Sequence, residues 1–240
     1  MKTPKLPAFP RSAGVTTHDY AFERLRQAIM VGAFPPGTPF TIRGLADALE
    51  SSSTPVREAL RRLTSIGALQ SLENRRIVVP NMTPSRFEEL ISLRILLESH
   101  AARRAVAHLS DRQIDAIVAI DDAIEVAILA GDKAEALIAN QEFHRKIYMG
   151  NPDPVAMPLI ESVWLQLGPI LGIAMDHVTQ LYVIDRHREA IKALRQRDED
   201  AVAEAIGADI REGIGGFDKQ AIGKLLALAG EEVGTLGITS

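Results

Sequence analysis

The sequence predicts a mainly α-helical chain of two domains. Apolar residues recur at helical spacing over most of the chain, and no stretch beyond residue 84 alternates as a strand would. Aromatic residues make up only 5%, whereas Ala, Leu and Ile are abundant, and this composition favours helices over sheets. A length of 240 residues with 46% hydrophobic content is sufficient for two cores.

The clearest pattern is a pair of short helices with a sharp turn between them, within residues 42–63. Apolar residues at helical spacing mark the first helix, and serines at positions 51–53 interrupt it. We expect Thr54 to cap the second helix, because its hydroxyl can accept an unpaired backbone N–H. Pro55 is then expected at the first helical position, where no N–H is needed.

The second of these helices is predicted to have one buried face and one basic face. Its buried stripe is Val56, Ala59, Leu60 and Leu63. Arg57 and Arg61 are four residues apart and share an exposed face. This arrangement is typical of a helix-turn-helix, whose second helix enters the major groove, where Arg binds guanine or phosphate. An ordinary amphipathic hairpin with solvated arginines fits the two helices equally well when they are taken alone.

The flanking segments favour the DNA-binding interpretation. An amphipathic helix over residues 20–31 precedes the pair, and Gly32 and a Pro-Pro-Gly turn at 35–37 follow that helix. After the pair, two short apolar runs at 69–72 and 77–79 enclose polar residues. The two runs predict a β-hairpin of the kind called a wing.

Over about residues 20–80 the sequence resembles the GntR family of winged helix-turn-helix regulators. The matching text is LRQAIMVGAFPPGT, LADAL, STPVREALRRL and GAL, in that order. The resemblance implies that this domain binds double-stranded DNA. With Arg61 from the exposed face, the implied DNA-binding residues are Arg43, Ser53, Thr54, Arg57, Arg61 and, at the wing tip, Asn74 and Arg75.

Two positions depart from the pattern of the family. Ser53 stands where many relatives have an arginine, so one strong contact to phosphate or base is missing. Arg76 stands where the wing usually has a glycine that allows close approach to the minor groove. The resemblance therefore implies DNA binding without implying an operator sequence.

The charge distribution supports a polyanionic partner for the first domain. Residues 1–82 contain 11 Lys or Arg against 6 Asp or Glu, whereas residues 83–240 contain 16 against 25. A basic segment gains affinity for DNA by neutralising phosphates. The acidic remainder is expected to lie away from DNA.

Composition also excludes several classes. The chain has no cysteine, so it has neither disulfides nor thiolate metal ligands. Its apolar runs look too short to span a bilayer, and its N-terminus lacks the apolar core of a signal peptide. We expect a soluble cytoplasmic protein with no membrane partner.

The rest of the chain predicts an antiparallel bundle of six or seven helices. Thr83 and Pro84 are expected to open its first helix, and Ser110 with Gln113 to form a capping box. The predicted helices cover 84–108, 110–129, 133–149, 153–178, 180–196 and 198–227. The predicted division is a flexible arm (1–15), the winged domain (16–80), a linker (81–83), the helical domain (84–227) and a frayed tail (228–240).

The helical half resembles the ligand-sensing FCD domain of the FadR-type branch of the GntR family. The matching text is EELISLRILLESHAARRA, NQEFHRKIYMGNP and RHREAIKALRQRDEDAVAEAI, which covers most of residues 84–215. The resemblance implies that this domain binds a small effector.

The resemblance also implies a divalent metal site at Asn140, His144, His187 and Asp209. Asn140 and His144 are four residues apart and share a helical face, and the other two lie on later helices. Many relatives have Asp or Asn and then three His at these positions. Here Asp209 replaces the third His, so the ligand set contains a harder donor and one more negative charge. The set suits Zn²⁺, Ni²⁺ or Mn²⁺. Without the resemblance, satisfied core histidines would be the ordinary explanation.

Arg94 is the candidate for binding an effector. Its neighbours in the sequence are apolar, so its side chain either snorkels to water or binds an anion in a cavity. The resemblance favours the second alternative, and Glu98 is placed to pair with it. Asp176 and His177 are lesser candidates for the same pocket, and His18, His100 and His108 are interpreted as surface residues.

These features predict a homodimeric transcriptional repressor that leaves a near-palindromic operator when a small organic acid binds. Two other functions stay open at this point. A helical metalloenzyme could use the His and Asp cluster to activate water, although the sequence contains no HExxH or similar motif. A DNA-binding protein without any effector would need only the first domain.

Overall fold

The computed structural model describes residue 6 and residues 14–73, 76–177, 186–213 and 216–235, without the side chains of 175–177 and 229–235. Most of the predicted arm, the wing tip and residues 236–240 of the predicted tail therefore lie outside the described residues. The elements in chain order are α1 (Thr17–Met30), β1 (Pro39–Phe40), α2 (Ile42–Ala48), α3 (Ser53–Ser65), β2 (Gln70–Ser71), β3 (Ile77–Val78), α4 (Pro84–Ala105), a 3₁₀ turn (Val106–His108), α5 (Asp111–Leu129), α6 (Lys133–Tyr148), α7 (Met157–His177), α8 (Arg186–Gln196), α9 (Glu199–Glu212) and α10 (Lys219–Thr235).

The described residues form two compact units. The first unit contains the residues up to Phe87 together with Trp164–His177 and the residues from Asp218 onward. The second unit contains Glu88–Val163 and the described residues from Arg186 to Phe217. The mainly α fold class, with a winged helix-turn-helix and a helical second half, is confirmed.

The helix-turn-helix forms as predicted, except at the start of α3. Thr41 caps α2 by accepting a hydrogen bond from the backbone of Gly44. Helix α3 begins at Ser53, so its N-cap is Ser52, without a side-chain bond. The predicted cap at Thr54 is therefore wrong, and Pro55 is the third helical residue. A proline is tolerated there because the N–H groups of the first turn have no partner inside the helix.

The wing belongs to a three-stranded antiparallel sheet with strand order β1-β3-β2. The predicted hairpin is present, with Ser71 opposite Ile77. The outer strand β1, in which Phe40 also pairs with Ile77, was not predicted. A strand of two residues is too short to show alternation in a sequence.

The first unit also contains a contact between two glycine-bearing backbones. Gly32 ends α1 with a φ of +72°, and its backbone lies against Gly172 of α7. A Cβ on Gly172 would meet Gly32 O at 2.6 Å, and a Cβ on Gly168 would meet Ile29 O and, at 2.8 Å, Met30 O. Only hydrogen fits at these positions of α7.

The capping predictions in the helical half are confirmed. Thr83 accepts a hydrogen bond from the backbone of Arg86 at the start of α4. Ser110 and Gln113 form the capping box of α5. Within the predicted helix 180–196 the structure describes Arg186–Gln196 as α8.

The predicted single helix over 198–227 is wrong. Helix α9 ends at Glu212, and α10 begins at Lys219. Gly213 follows α9, and the Asp218 side chain accepts a hydrogen bond from the backbone of Ala221. Glycine after a helix and aspartate before the next one are ordinary stop and start signals, and the continuing apolar periodicity concealed them.

Helix α7 is the most apolar helix described. Its window Met157–Ala174 is long and apolar enough to cross a membrane by composition alone, which the sequence prediction overlooked. However, 61% of that window is buried within the fold. A mostly buried core helix of a soluble protein can have the same length and composition.

Candidate nucleic-acid interface and metal centre

The exposed face of α3 and α2 carries the predicted DNA-binding side chains. The apolar stripe of α3 is buried to within 1% at Val56, Ala59, Leu60 and Leu63. This burial fixes the rotation of α3, so that Ser53, Thr54 and Arg57 are exposed. Arg43 is exposed on α2. Neither arginine has an ion-pair partner among the described residues.

Arg61 also lies on the surface, but its charge is partly neutralised. Its Nη2 donates to Glu58 Oε1 at 2.7 Å and its Nε to Glu58 Oε2 at 3.1 Å. The side chain of Arg61 is 72% exposed, so the pair is not buried against the protein. The hydrogen bond from Arg61 holds the pKa of Glu58 below its usual value.

Arg62, the next residue, has a different role, which the sequence did not reveal. Its guanidinium lies 3.7 Å from the centre of the Phe22 ring and 3.5 Å from Asp19 Oδ1. Both partners belong to α1, so Arg62 joins α3 to α1 although its side chain is 41% exposed. The predicted wing-tip contacts, Asn74 and Arg75, lie outside the described residues.

Three of the four predicted metal ligands come together in the second unit. One ligand atom each from His144, His187 and Asp209 lies within 4.8 Å of the others. His144 Nε2 is 3.3 Å from Asp209 Oδ2, and His187 Nε2 is 3.6 Å from Asp209 Oδ1. Helices α6, α8 and α9 supply one ligand each. This part of the prediction is consistent with the geometry.

The two imidazoles are oriented as metal ligands usually are. Both Nε2 atoms are buried and have no hydrogen-bond partner among the described residues. Each Nδ1 atom, in contrast, has a partner: His144 Nδ1 lies 3.0 Å from Tyr148 Oη, and His187 Nδ1 lies 2.8 Å from Asp121 Oδ1. Such partners fix the orientation and tautomer of a ligating histidine. The residues present therefore fit a divalent ion.

The environment of this cluster favours an ionised carboxylate. Burial opposes ionisation of Asp209, but the nearby His144, and then His187 and Arg94, outweigh it and lower the pKa of Asp209. Phe143 stacks on His187 with ring centres 3.9 Å apart, which restrains the ring of that histidine. Two imidazoles and one carboxylate form a common set of three protein ligands for Zn²⁺, with a position open for a further oxygen.

The fourth predicted ligand, Asn140, is on α6 one turn before His144 and is half-buried. Its role in metal binding stays a prediction. His18, His100 and His108 are exposed, as expected. The side chains of Asp176 and His177 lie outside the described residues.

Arg94 is buried, with 8% of its side chain exposed, so the snorkelling alternative is wrong. Its Nε donates to Glu98 Oε1 at 2.6 Å, which confirms the predicted pairing. The other oxygen, Glu98 Oε2, accepts a hydrogen bond from Tyr148 Oη at 2.8 Å. Arg94, Glu98, Tyr148 and His144 are therefore consecutive members of one buried polar network.

Tyr148 and Asp121 are the site residues that the sequence prediction missed. Tyr148 follows His144 at the i, i+4 spacing of one helical face, so a search for neighbours of His144 could have found it. Asp121 is 66 residues from His187, and no local signal connects them.

Two family patterns match the chain. The pattern described as bacterial regulatory proteins, gntR family, matches residues 17–79. The pattern described as the FCD domain matches residues 89–212. Together they cover both α3 and the His144, His187 and Asp209 cluster.

Similar proteins include named bacterial regulators. The chain is 26% identical over 193 residues to the HTH-type transcriptional regulator McbR of Escherichia coli K12, covering 79% of this chain and 87% of McbR. It is 25% identical over 178 residues to a probable D-xylose utilization operon transcriptional repressor of Paenarthrobacter nicotinovorans, covering 74% and 78%. The solved structure of E. coli McbR/YncC is similar with a TM-score of 0.78 at 25% identity, covering 89% of this chain and 99% of that chain.

Proposed function

Because the chain belongs to the GntR family of bacterial regulatory proteins and carries an FCD domain, we propose that it is a homodimeric repressor released from its operator by a small organic acid. Its class is that of a DNA-binding transcriptional regulator and not of an enzyme. We place its site of action in the cytoplasm, where the DNA of a bacterial regulator is found.

The observation that carries the DNA-binding half is the exposed N-terminal part of α3, where Arg57 has no ion-pair partner among the described residues. Arg57 is exposed in the second turn of the helix, and Ser53 and Thr54 are exposed in the first. A recognition helix of this kind presents its N-terminal residues to base edges in the major groove. In a homodimer two copies of α3 would read two half-sites, which makes the operator near-palindromic.

The helical half is proposed to bind the effector at the His144, His187 and Asp209 cluster. A divalent ion held there, Zn²⁺, Ni²⁺ or Mn²⁺, would supply a Lewis-acidic anchor for a carboxylate or hydroxyl oxygen. Arg94 is buried in the adjoining network, where Glu98 offsets much of its charge, and it would bind an acidic ligand through guanidinium N–H groups that Glu98 does not use. Binding of the effector lowers operator affinity only if the effector binds with different affinity to the conformation that fits the operator and to the conformation that does not.

A gel-shift titration with DNA flanking the gene of the protein tests the DNA-binding half. We expect a specific shift that Arg57→Ala weakens by roughly tenfold or more, the cost of one bidentate base contact. Arg112→Ala is the matched control, because Arg112 is exposed on α5, far along the chain from α3. Equal binding by the two variants, or no specific shift by the wild type, would contradict the proposal.

The effector half is tested by adding candidate organic acids to the same gel shift. We expect one of them to release the wild type from DNA but not His144→Ala, whose basal DNA binding should be unchanged. An operator complex that no organic acid or divalent metal alters would favour a DNA-binding protein without an effector.

A further inference from the structure

The second unit contains a polar cavity outside the metal cluster, with a volume of about 250 Å³. One wall is helix α4, which contributes His100, Ala101 and Arg104. The other wall is the segment between α6 and α7, which contributes Asp153 and leads to Met157. None of these residues belongs to the DNA-binding face or to the metal cluster.

The charges of the two walls are opposite. Arg104 and His100 are one helical turn apart on α4, and both are exposed. Neither side chain has an ion-pair or hydrogen-bond partner in the part of the chain that the structure describes. The carboxylate of Asp153 is likewise exposed and has no ion-pair partner among those residues. Opposite charges without partners in the lining of one cavity suit a ligand that carries both charges.

The remaining lining is apolar and small. Ala101 and Met157 are buried to 7% and 6% exposure. The aliphatic part of a small ligand could contact these two side chains, while the charged groups of that ligand contact the charged side chains of the lining. We propose that this cavity binds a small amino carboxylate, with Arg104 and His100 receiving the carboxylate and Asp153 receiving the ammonium.

Tyr148 connects this cavity to the metal cluster. Its side chain lines the cavity, and its hydroxyl contacts both Glu98 Oε2 and His144 Nδ1. A ligand in the cavity therefore contacts the residue that orients His144. The cavity is separate from the proposed effector site at the metal cluster and does not rest on it.

The test is a saturation-transfer NMR titration of the full-length protein as purified. The probe is L-alanine, with acetate and methylammonium as ligands that carry only one of its charges. We expect L-alanine to saturate and each partial ligand to bind more weakly. Arg104→Gln should weaken the binding of L-alanine by roughly tenfold or more, because hydrogen bonds to charged groups are stronger than those between neutral groups.

Three further variants make the assignment specific. Asp153→Asn should lose the preference for L-alanine over acetate. Arg112→Gln makes the same charge change outside the cavity and should bind L-alanine like the wild type. His144→Ala should also retain binding, because it alters the metal cluster and removes no residue of the cavity lining.

Four results would overturn the proposal. The first is that L-alanine shows no saturable binding, and the second is that acetate binds as tightly as L-alanine. The third is that Arg104→Gln and Arg112→Gln lose affinity for L-alanine equally. The fourth is that His144→Ala loses affinity for L-alanine while Arg104→Gln does not. The last result would place the ligand at the metal cluster, and it would leave the operator proposal intact.

Discussion

The hydroxyl of Tyr148 lies 3.0 Å from His144 Nδ1 and donates to Glu98 Oε2 at 2.8 Å. Because this hydroxyl gives its proton to Glu98, it is an acceptor toward His144. His144 therefore carries a proton on Nδ1, and its Nε2 lies 3.3 Å from Asp209 Oδ2. Burial and the neighbouring Glu98 raise the pKa of Tyr148 well above its usual value, so the hydroxyl stays protonated.

Tyr148→Phe should weaken metal binding. Removing a partner of a ligating histidine typically lowers metal affinity by about 10- to 100-fold. The measurement is a competition titration of Zn²⁺ against a chromophoric chelator. Tyr20→Phe is the control, because it removes a hydroxyl that accepts a hydrogen bond from Arg24 within α1. Equal Zn²⁺ affinity in the two variants would mean that Tyr148 does not orient a ligand.

Glu58→Gln should strengthen DNA binding at low salt. The substitution releases Arg61 from its carboxylate partner, so one more cation can neutralise a phosphate. The slope of log K against log salt should then become steeper by about one. The measurement is operator affinity by fluorescence anisotropy at several salt concentrations.

Asp122→Asn is the control for Glu58→Gln, because it removes one exposed negative charge from α5 of the helical unit. It should leave the slope unchanged. If both variants steepen the slope equally, net charge rather than the Arg61 and Glu58 pair explains the effect.

Gly168→Ala should destabilise the protein. The new methyl group would overlap Ile29 O and Met30 O of the α1 backbone, which cannot rotate away as a side chain can. We expect a loss of about 1–3 kcal/mol in the free energy of unfolding, typical of overpacking. Urea denaturation measures it.

Gly223→Ala is the matched control, because Gly223 is a helical glycine of α10 and, among the described residues, no atom outside its own turn of helix lies within 4 Å of the position that a methyl group would take. Here alanine should stabilise the protein by roughly 0.5–1 kcal/mol, because it restricts the unfolded chain and favours a helix. A gain in the free energy of unfolding from both substitutions would show that Gly168 of α7 does not lie tightly against the α1 backbone.

The lowered pKa of Asp209 predicts a defined dependence of stability on pH. A carboxylate with a lower pKa in the folded state adds stability at pH values above its unfolded pKa of 3.8. That contribution decreases as the pH falls through the folded pKa. The stability difference between the metal-free wild type and Asp209→Asn should therefore be steady between pH 5 and 6, roughly, and shrink below about pH 4.

The measurement is urea denaturation of both proteins, treated with a chelator, at a series of pH values. A difference that grows on acidification would mean that Asp209 is protonated in the folded state near neutral pH. The sign of the pH dependence thus decides whether His144 and His187 face a carboxylate or a carboxylic acid.

The exposed face of α3 could be predicted from sequence because its signals are local. A helix-turn-helix has fixed spacing, so the burial of Leu60 and Leu63 also determines the exposure of Arg57. The fate of Arg62 was not predictable in this way. Arg62 contacts Phe22 and Asp19 of α1, and no local pattern in the sequence of α3 indicates these contacts.

The proximity of His144, His187 and Asp209 was predictable only through the resemblance to relatives. His144, His187 and Asp209 come from three helices, and no periodicity relates residues so far apart in the chain. The break between α9 and α10 was missed for the opposite reason. Local stop signals at Gly213 and Asp218 were present, but they were outweighed by apolar periodicity on both sides.

The backbone contact between Gly32 and Gly172 limits how the protein can diverge. Gly32 is constrained twice, by its left-handed φ and by the neighbouring chain, so no single replacement there is neutral. A descendant that gained a side chain at either position would have to move α1 and α7 apart and refill the gap. Placing the first helix of distant relatives by superposition on this fold is therefore justified only where both glycines are retained.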